Sequence, residues 1–453
     1  MRQEIKMTEG PIIRPLISYT IPLILTGILQ LLYNAADLVV VGQFAGPTAL
    51  AAVGATGALT NLLVNLLMGL SVGAGVLTAQ ALGAMDDLAA HRTVHTSILV
   101  ATVGGVLVGV FGVLFCEPLL KLMDTPDNVL PYAALYMKII FAGLPTSALY
   151  NFGSAILRSD GETKRPLYFL IFSGLLNVAL NLLLVIVFHW DVAGVAVGTI
   201  ASQTVSAILI LRELCGRRSG CRLFWSKLKI YKKQLIGIIR IGVPAGLQGI
   251  MFSISNVLIQ SSINSFGELA MAGNVAGGNL DGFVWQIQNA FNLTNTAFVG
   301  QNTGAKKMDR VKKINWISTG LVFAASVFFG VLLYVLGPWL LQIYSTDPEV
   351  IRFGMKRLLY VCLTYFLCGC METVGGGLRG MGCSMFPAMV CVFGVCGVRI
   401  LWIYTYFATH HTMDVLLFSY PLSWLISIVI MILGFNYYHK KMTKRFSHEA
   451  ETV

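Results

Sequence analysis

The chain has 453 residues, of which 56% are hydrophobic and 12% are charged, and its mean hydropathy is +0.74; this composition excludes an ordinary soluble domain and indicates a membrane protein. Its apolar runs are long enough for membrane-spanning helices of about 20 residues, which excludes a β-barrel built from ~10-residue alternating strands. The net charge of +11 would suit a nucleic-acid partner, but the cations cluster between the apolar runs, so membrane topology accounts for them and no nucleic acid is expected.

Twelve apolar runs can be read along the chain. In chain order they cover residues 15–41, 48–82, 93–115, 130–152, 166–188, 192–213, 235–263, 271–302, 315–343, 350–378, 385–407 and 414–436. The predicted fold class is therefore an all-α membrane protein with twelve transmembrane helices. Because an even number of crossings returns the chain to its starting side, both termini face the same compartment.

The distribution of Lys and Arg predicts which compartment that is. Most of the 32 basic residues lie in segments that are cytoplasmic if the N-terminus is cytoplasmic, and cytoplasmic loops are known to collect positive charge. The start, MRQEIKMTEGPIIRP, lacks a signal-peptide cleavage pattern, so we expect the first helix to act as its own insertion signal. We predict a multi-pass protein of the cytoplasmic membrane with both termini inside.

The first run contains an acid, Asp37, within LLYNAADLVVVGQFAG. Asp37 follows Pro15 by 22 residues, ~33 Å of helix at 1.5 Å per residue, which puts it in the outer half of its span. Asn34 lies about one turn before it. Because an ionisable group inside a membrane is costly to bury, Asp37 is a candidate functional residue.

The fifth run places Asn177 and Asn181, one turn apart, near the same outer depth. With Asp37 and Asn34 they form a predicted cation-coupling site. Desolvation favours the protonated form of a carboxylic acid, so Asp37 could exchange a proton. Alternatively, its ionised form and the amide oxygens could bind Na⁺, a hard cation suited to oxygen ligands. A purely structural hydrogen bond between helices is the remaining alternative.

The eighth run carries a second acid, Asp281, in its outer half. We predict that Asp281 lines a substrate cavity together with aromatic residues that could hold an organic cation by cation–π contact. These residues are Tyr33, Phe283, Trp285 and Phe291. Packing between helices is the alternative interpretation for Asp281, and core or lipid contact is the alternative for the rings.

Glu372 and Arg399 lie in the tenth and eleventh runs. Counted from Arg379 and Pro387 at the inner ends of those runs, their backbones lie roughly 10 and 18 Å from the inner surface. Long side chains can close that gap, so we predict an intramembrane ion pair between Glu372 and Arg399. A substrate or ion role for Glu372 is the alternative.

Patterns that would indicate an enzyme or a metal site are weak. The segment 69-GLSVG-73 matches a hydrolase nucleophile elbow, but it lies inside a hydrophobic helix without the required strand. No phosphate-binding loop with a terminal Lys-Ser or Lys-Thr is present in the sequence. The nine cysteines are best interpreted as small buried hydrophobes. We predict no enzymatic activity, no metal, and no cofactor other than H⁺ or Na⁺ as coupling ion.

The chain repeats itself at a spacing of about 221 residues. The segment 155-AILRSDGETKRP-166 aligns with 376-GGLRGMGCSMFP-387, and 79-AQALGA-84 aligns with 300-GQNTGA-305; at one residue more, Pro22 aligns with Pro244. Six helices per half give two pseudo-symmetric lobes in the same orientation, a parallel repeat. We predict an N-terminal lobe at 1–213, a basic cytoplasmic linker at 214–234 that could rest on anionic membrane lipids, and a C-terminal lobe with a basic tail at 235–453.

These features resemble the multidrug and toxic compound extrusion (MATE) transporters, bacterial branch. The likeness rests on IPLILTGILQLLYNAADLVVVGQFAG, the two L-R-x-x-G-x-x-x-x-P segments, FVGQNTGA and the helix of Asn177 and Asn181. The resemblance implies two V-shaped six-helix lobes around a central cavity. It also implies a monomer in a bacterial cytoplasmic membrane that exports small amphipathic organic cations by alternating access, in exchange for H⁺ or Na⁺.

Two departures from the family pattern bear on the coupling ion. Members with a first-lobe cation site often pair the aspartate matched by Asp37 with a second aspartate in helix five, where this chain has Asn181. Members with a second-lobe site often have a glutamate in helix seven, whereas 247-LQGIMFSISNVLIQ-260 has no acid. Both departures favour Asp37 and leave H⁺ or Na⁺ open.

The alternative function is a flippase for lipid-linked oligosaccharide or another anionic lipid. A flippase of this kind would need several cavity cations to hold a pyrophosphate. The cation that we assign to the interior of a span is Arg399; the cations assigned to the outer surface are Lys121, Lys138, Arg352, Lys356 and Arg357.

Overall fold

The structure is a computed structural model that describes residues 6–123, 125–217 and 219–451, and within these ranges it is helical without a strand. The α-helices are α1 Ile13–Val40, α2 Pro47–Gly83, α3 Asp87–Leu122, α4 Leu130–Ala142, α5 Leu144–Ser159, α6 Lys164–Leu182, α7 Asp191–Cys215, α8 Lys232–Asn264, α9 Glu268–Gly304, α10 Met308–Gln342, α11 Pro348–Arg357, α12 Tyr365–Gly380, α13 Met385–Val390, α14 Val398–Trp402 and α15 Met413–Glu451. The all-α prediction is confirmed.

The predicted spans correspond to these helices. Within the described residues, ten helical stretches are long and apolar enough to cross a membrane, and α4 with α5, bent by 46°, brings the number to eleven. The remaining predicted span corresponds to α9, which has 37 residues and therefore sufficient length. Its sequence, ELAMAGNVAGGNLDGF at the start, is rich in Gly and Asn, which explains its lower hydropathy.

Several helices are interrupted where the sequence or the packing demands it. Pro22 and Pro244 lie inside α1 and α8, where each removes a backbone hydrogen bond. Turns of π-helix, which often occur at functional sites, extend or divide other helices. They are Val41–Ala45, Leu183–Val187, Leu358–Cys362, Cys391–Gly397 and Ile403–Phe407.

The described chain forms two compact units. The first comprises Leu25–Gly246, and the second comprises Lys6–Ile24 together with the described residues from Leu247 onward. The contact boundaries therefore fall inside α1 and α8. The lobe boundaries at 213 and 235 stay a prediction.

The first unit packs α2, α3, α4 and α5 closely because glycines line their contacts. A Cβ at Gly109 would lie 2.6 Å from the carbonyl oxygen of Phe141, a ring buried in the core of this unit. A Cβ at Gly69 would lie 2.2 Å from the backbone nitrogen of Gly246 on α8. The GLSVG segment is thus a helix-packing surface, as expected for small residues in lipid.

The segment after α7 is folded onto the first unit. His95 of α3 places Nδ1 2.7 Å from the carbonyl oxygen of His91 and Nε2 3.1 Å from that of Phe224. The backbone N–H of Tyr231 donates to Thr96 Oγ1 at 3.1 Å. The described part of the predicted linker is therefore fixed to α3.

The second unit includes the first described residues, Lys6–Ile24. Arg310 of α10 donates to the carbonyl oxygens of Met7, Glu9 and Gly10 at 3.3, 3.0 and 2.8 Å. Met7 is buried. Tyr19, in the first turns of α1, makes an edge-to-face contact with another residue of this unit. The N-terminal part of α1, up to Ile24, thus belongs to the second unit.

Candidate functional site

Three helices of the first unit meet around Asp37. Asn181 of α6 donates its Nδ2–H to Asp37 Oδ1 at 2.6 Å, and Thr199 of α7 lies with Oγ1 3.5 Å from Asp37 Oδ2. Asn177 donates to Thr199 Oγ1 at 3.3 Å. The structure therefore brings Asp37, Asn177 and Asn181 together, and the hydroxyl of Thr199 joins them.

The close approach of α6 and α7 depends on Gly198. A Cβ at this position would lie 2.2 Å from Asn181 Oδ1. The glycine leaves room for the amide in this position, from which it reaches Asp37 on α1. The Gly194/Gly198 spacing in the sequence is the signal of this contact.

Sequence reasoning missed Thr199. A threonine inside a helix commonly bonds its own backbone, and Thr199 Oγ1 does so with the carbonyl oxygen of Val195 at 2.9 Å. Nothing in its local sequence distinguishes it from such a residue. Its position directly after Gly198 is the one available hint.

The side chains of the site carry oxygen atoms that could bind a cation, and one of these side chains is an acid. Among the described residues, no Lys or Arg forms an ion pair with Asp37. Asn177 and Asn181 are buried, and the Oδ1 atom of each has no hydrogen-bond partner among those residues. The carboxylate can take a proton. The carboxylate, the amide oxygens and the hydroxyl also form a set suited to a hard cation.

Two other residues of α1 that were predicted to belong to a functional site make no hydrogen bond to Asp37 in the described part of the chain. Asn34 has an exposed side chain, and no hydrogen bond in the described chain joins it to Asp37. Tyr33 lies flat on α6, since a Cβ at Gly174 would fall 1.9 Å from its ring. Its hydroxyl lies 3.4 Å from the carbonyl oxygen of Ile171. Tyr33 is therefore next to the Asn177 turn of α6, whereas Asn34 is outside the network.

Asp281, in the second unit, is neutralised by an arginine. Arg357 Nε donates to Asp281 Oδ2 at 2.7 Å, and Tyr365 OH lies 3.5 Å from Oδ1. Asp281 is buried. Arg357 lies in the 350–378 run near its outer end, and its stem lies along Gly277, where a Cβ would come within 3.1 Å of it. The carboxylate is thus occupied by a counter-charge and does not present a free charge to a substrate.

The aromatic residues assigned to the substrate cavity have different environments. Phe291 is buried, with 7% of its surface exposed. Phe283 and Trp285 are half-buried, and the Trp285 ring lies 6.2 Å from that of Phe252. The assignment of these residues, with Tyr33, to a substrate cavity stays a prediction.

Glu372 pairs with Arg379, so the predicted pair of Glu372 with Arg399 is wrong. Arg379 Nη2 lies 3.3 Å from Glu372 Oε2. Gln248 and Asn292 each donate to Glu372, at 2.9 and 3.2 Å, and each accepts from Arg379 at 2.8 Å. The reason is helical geometry: Arg379 follows Glu372 by about two turns and so lies on the same face of α12.

Arg399 lies elsewhere in the second unit. Its Nε donates to Ser423 Oγ at 3.1 Å, and its Nη1 lies 3.3 Å from Ser255 Oγ and 3.5 Å from Asn256 Oδ1. The guanidinium carbon is 4.2 Å from the centre of the Tyr420 ring. Hydroxyls, an amide oxygen and aromatic rings thus surround this cation.

Comparison with known proteins gives matches over most of the chain. The MatE family model matches twice, over residues 22–183 and 244–405, and the two matches begin at the prolines that the internal repeat aligns. The chain is 26% identical over 447 residues to the probable multidrug resistance protein YoeA of Bacillus subtilis (strain 168), covering 96% of each. It is 25% identical over 414 residues to the probable multidrug resistance protein NorM of Thermotoga maritima, covering 86% of this chain and 85% of the relative.

Solved structures show the same fold. An outward-facing multidrug resistance MATE family transporter matches with a TM-score of 0.90 and 19% sequence identity, covering 98% of this chain and 99% of that chain. With the helices described above, this match confirms the predicted fold class of twelve helices in two six-helix lobes.

Proposed function

The chain belongs to the MatE family, whose members are transporters rather than enzymes, and from this premise we propose that it exports amphipathic organic cations in exchange for an ion bound at Asp37. Two of its relatives are named probable multidrug resistance proteins. They therefore support small-molecule efflux and do not favour the lipid flippase.

The observation that carries the proposal is the difference in counter-charge among three acids within the helices: Asp281 and Glu372, which are buried, and Asp37, which is half-buried. Asp281 and Glu372 are each paired with an arginine, whereas Asp37 is bound by an amide and a hydroxyl. An acid in a buried ion pair is held in its ionised form by its partner. Asp37 has no such constraint, so it is the acid that can gain and lose a cation.

We propose a proton as the first candidate for the coupling ion. Asn181 directs an N–H group at Asp37 Oδ1, and its own Oδ1 lies against Gly198. For Na⁺ binding, this amide would have to turn so that oxygen faced the ion. A proton needs no such rearrangement, because protonated Asp37 can donate to Thr199 Oγ1 while Thr199 keeps its bond to Val195.

Protonation would alter the connection of α1 to α6 and α7. Hydrogen bonds to an ionised carboxylate are roughly twice as strong as those between neutral groups, so a proton weakens the Asn181–Asp37 bond. The turns Val41–Ala45 and Leu183–Val187 follow the site on α1 and α6. These irregular turns support movement of helix ends during alternating access.

Dye efflux from proteoliposomes tests the proposal. With a proton gradient and a Na⁺ gradient imposed separately, the wild type should expel ethidium when protons flow inward. Asp37→Asn should insert normally and abolish gradient-driven efflux. Asn34→Ala is the matched control, because Asn34 is about one turn away on α1 and its side chain is exposed. Unchanged efflux in Asp37→Asn rejects Asp37 as the coupling residue. Efflux that is driven by the Na⁺ gradient and not by the proton gradient shows that Na⁺, and not a proton, is the coupling ion.

We also propose that both termini are cytoplasmic and that the protein acts as a monomer in the bacterial cytoplasmic membrane, with lobes near the predicted boundaries 1–213 and 235–453. The excess of Lys and Arg in alternate loops supports this orientation. Labelling of single cysteines placed in the terminal segments, with reagents that cannot cross the membrane, tests it.

A further inference from the structure

Arg399 is a buried cation without an acidic partner in the described chain. Its side chain is 2% exposed, and α14, which carries it, is a five-residue helix between two π-helical turns. Its hydrogen-bond acceptors are two serine hydroxyls and one amide oxygen: Ser423, Ser255 and Asn256. None of these groups carries a negative charge.

Three other arginines whose side chains are at most 13% exposed do have acidic partners. Arg217 lies 3.0 Å from Asp160, Arg357 pairs with Asp281, and Arg379 pairs with Glu372. A charged group inside a membrane span is expensive unless it is paired, and an unpaired one is a functional candidate. Arg399 therefore differs from these three arginines.

Donor groups beside Arg399 are also unused. Within the described residues, the Nη2 group of Arg399 makes no hydrogen bond, and Trp424 Nε1–H is buried without an acceptor. The centre of the Trp424 ring lies 5.6 Å from the guanidinium carbon, and the Tyr420 ring lies 4.2 Å from it. The guanidinium of Arg399 is thus next to two aromatic rings, and one of them, the Trp424 indole, has an unused N–H donor.

This combination matches the chemistry of an aromatic carboxylate. A guanidinium binds a carboxylate through two parallel N–H···O bonds, and an indole N–H can donate to the same group. Both rings are buried in this conformation and Trp424 stacks on Tyr365, so an aromatic skeleton would reach them by replacing part of these contacts. In the present conformation they contact the guanidinium by cation–π interaction, and a bound carboxylate would replace part of that contact.

We propose that Arg399, with Trp424 and Tyr420, binds the carboxylate of an exported compound, so that the transporter prefers zwitterionic aromatic substrates to purely cationic ones. This inference rests on the proposed function and specifies its substrate class. Arg399 here is a specificity residue and takes no part in ion coupling.

Two dyes that differ only in the carboxylate test the proposal. Rhodamine B carries a cationic xanthene and a free carboxylate, and its ethyl ester carries the cation alone. Binding to purified protein is measured by fluorescence polarisation, and export is measured in proteoliposomes. The wild type should bind rhodamine B at least tenfold more tightly than the ester, the factor expected for a hydrogen-bonded charge.

Variants at the site separate recognition from folding. Arg399→Gln should weaken rhodamine B binding at least tenfold and change ester binding less than twofold. Arg399→Lys, which keeps the charge but loses the planar fork, should fall between Gln and the wild type. Trp424→Phe keeps a ring and removes the donor, so it should weaken rhodamine B binding about threefold and leave the ester unchanged. Arg352→Gln, at an exposed arginine, is the control.

The results distinguish this inference from the proposed function. Equal affinity of the wild type for both dyes, or an equal loss of both in Arg399→Gln, overturns the carboxylate site even if export continues. If Arg399→Gln does not fold, Arg399→Lys and Trp424→Phe decide the matter, and a preference for rhodamine B as strong as that of the wild type in both variants overturns the proposal. A wild type that binds the dyes with the expected preference but exports neither contradicts the efflux function and leaves the binding site standing.

Discussion

Asp37 of the first unit and Asp281 of the second accept hydrogen bonds of similar length, but from groups of different charge. In the first unit, Asp37 accepts from the neutral amide of Asn181 at 2.6 Å. In the second, Asp281 accepts from Arg357 at 2.7 Å, and Glu372 lies 3.3 Å from Arg379. Distance alone therefore does not distinguish a site that changes its charge from one that stays fixed. The counter-charge does, because it holds the acid in one ionisation state.

The largest expected effect comes from breaking a pair in the second unit. Arg379→Gln would leave Glu372 buried without its cation, and such a change typically costs about 3–5 kcal/mol. We expect a clear fall in the thermal unfolding temperature of the purified protein. Arg352→Gln, which breaks an exposed pair with Glu349, should change it little.

A double variant sharpens this prediction. Adding Glu372→Gln to Arg379→Gln removes both charges and should recover part of the lost stability. If the single variant unfolds at the same temperature as Arg352→Gln, the pair does not stabilise the second unit, and the contrast between the two units fails.

A smaller effect on stability is expected from a change at Gly198, where the packing of α6 against α7 positions Asn181 next to Asp37. Gly198→Ala would place a methyl group against Asn181 Oδ1, and overpacking of this kind costs about 1–3 kcal/mol. The amide should be displaced from Asp37, so proton-driven efflux should fall more than the amount of folded protein does. Gly104→Ala, whose methyl group would meet only an ordinary contact at 3.5 Å, is the control. Equal efflux in both variants would mean that the position of Asn181 does not matter for coupling.

The smallest effect is expected from removal of the Thr199 hydroxyl. Thr199→Val keeps the shape of the side chain and removes one neutral hydrogen bond, worth about 0.5–1.5 kcal/mol. Proton-driven efflux should slow by up to about tenfold, without loss of folded protein. Complete loss of efflux would show that Thr199, and not Asp37 alone, is essential; no change would remove Thr199 from the site.

The sequence was sufficient to predict the fold because membrane helices depend on features that a single chain displays. Long apolar runs set the number of spans, and the repeat set their grouping. Depth counted along two helices also placed Asp37 near Asn177 and Asn181. For Asn34 the same counting was misleading, since three residues rotate a side chain about 60° from the face of Asp37.

Side-chain partners in the second unit could not be predicted from depth. By depth, both Arg379 and Arg399 were possible partners of Glu372. Glu372 pairs with Arg379 because the two side chains lie on the same face of α12. Arg357 was counted as an outer-surface cation, yet its long side chain reaches Asp281. Long flexible cations extend their charge away from their backbone position, so a sequence locates the backbone and leaves the charge undetermined.

The central claim is that Asp37 exchanges the coupling ion while the arginine-paired acids do not. It is tested most directly by the proton exchange that accompanies binding of ethidium to purified protein in weakly buffered solution. We predict a pH change in the wild type and in Asn34→Ala, and none in Asp37→Asn. An undiminished pH change in Asp37→Asn would contradict the account, because another group would then carry the proton.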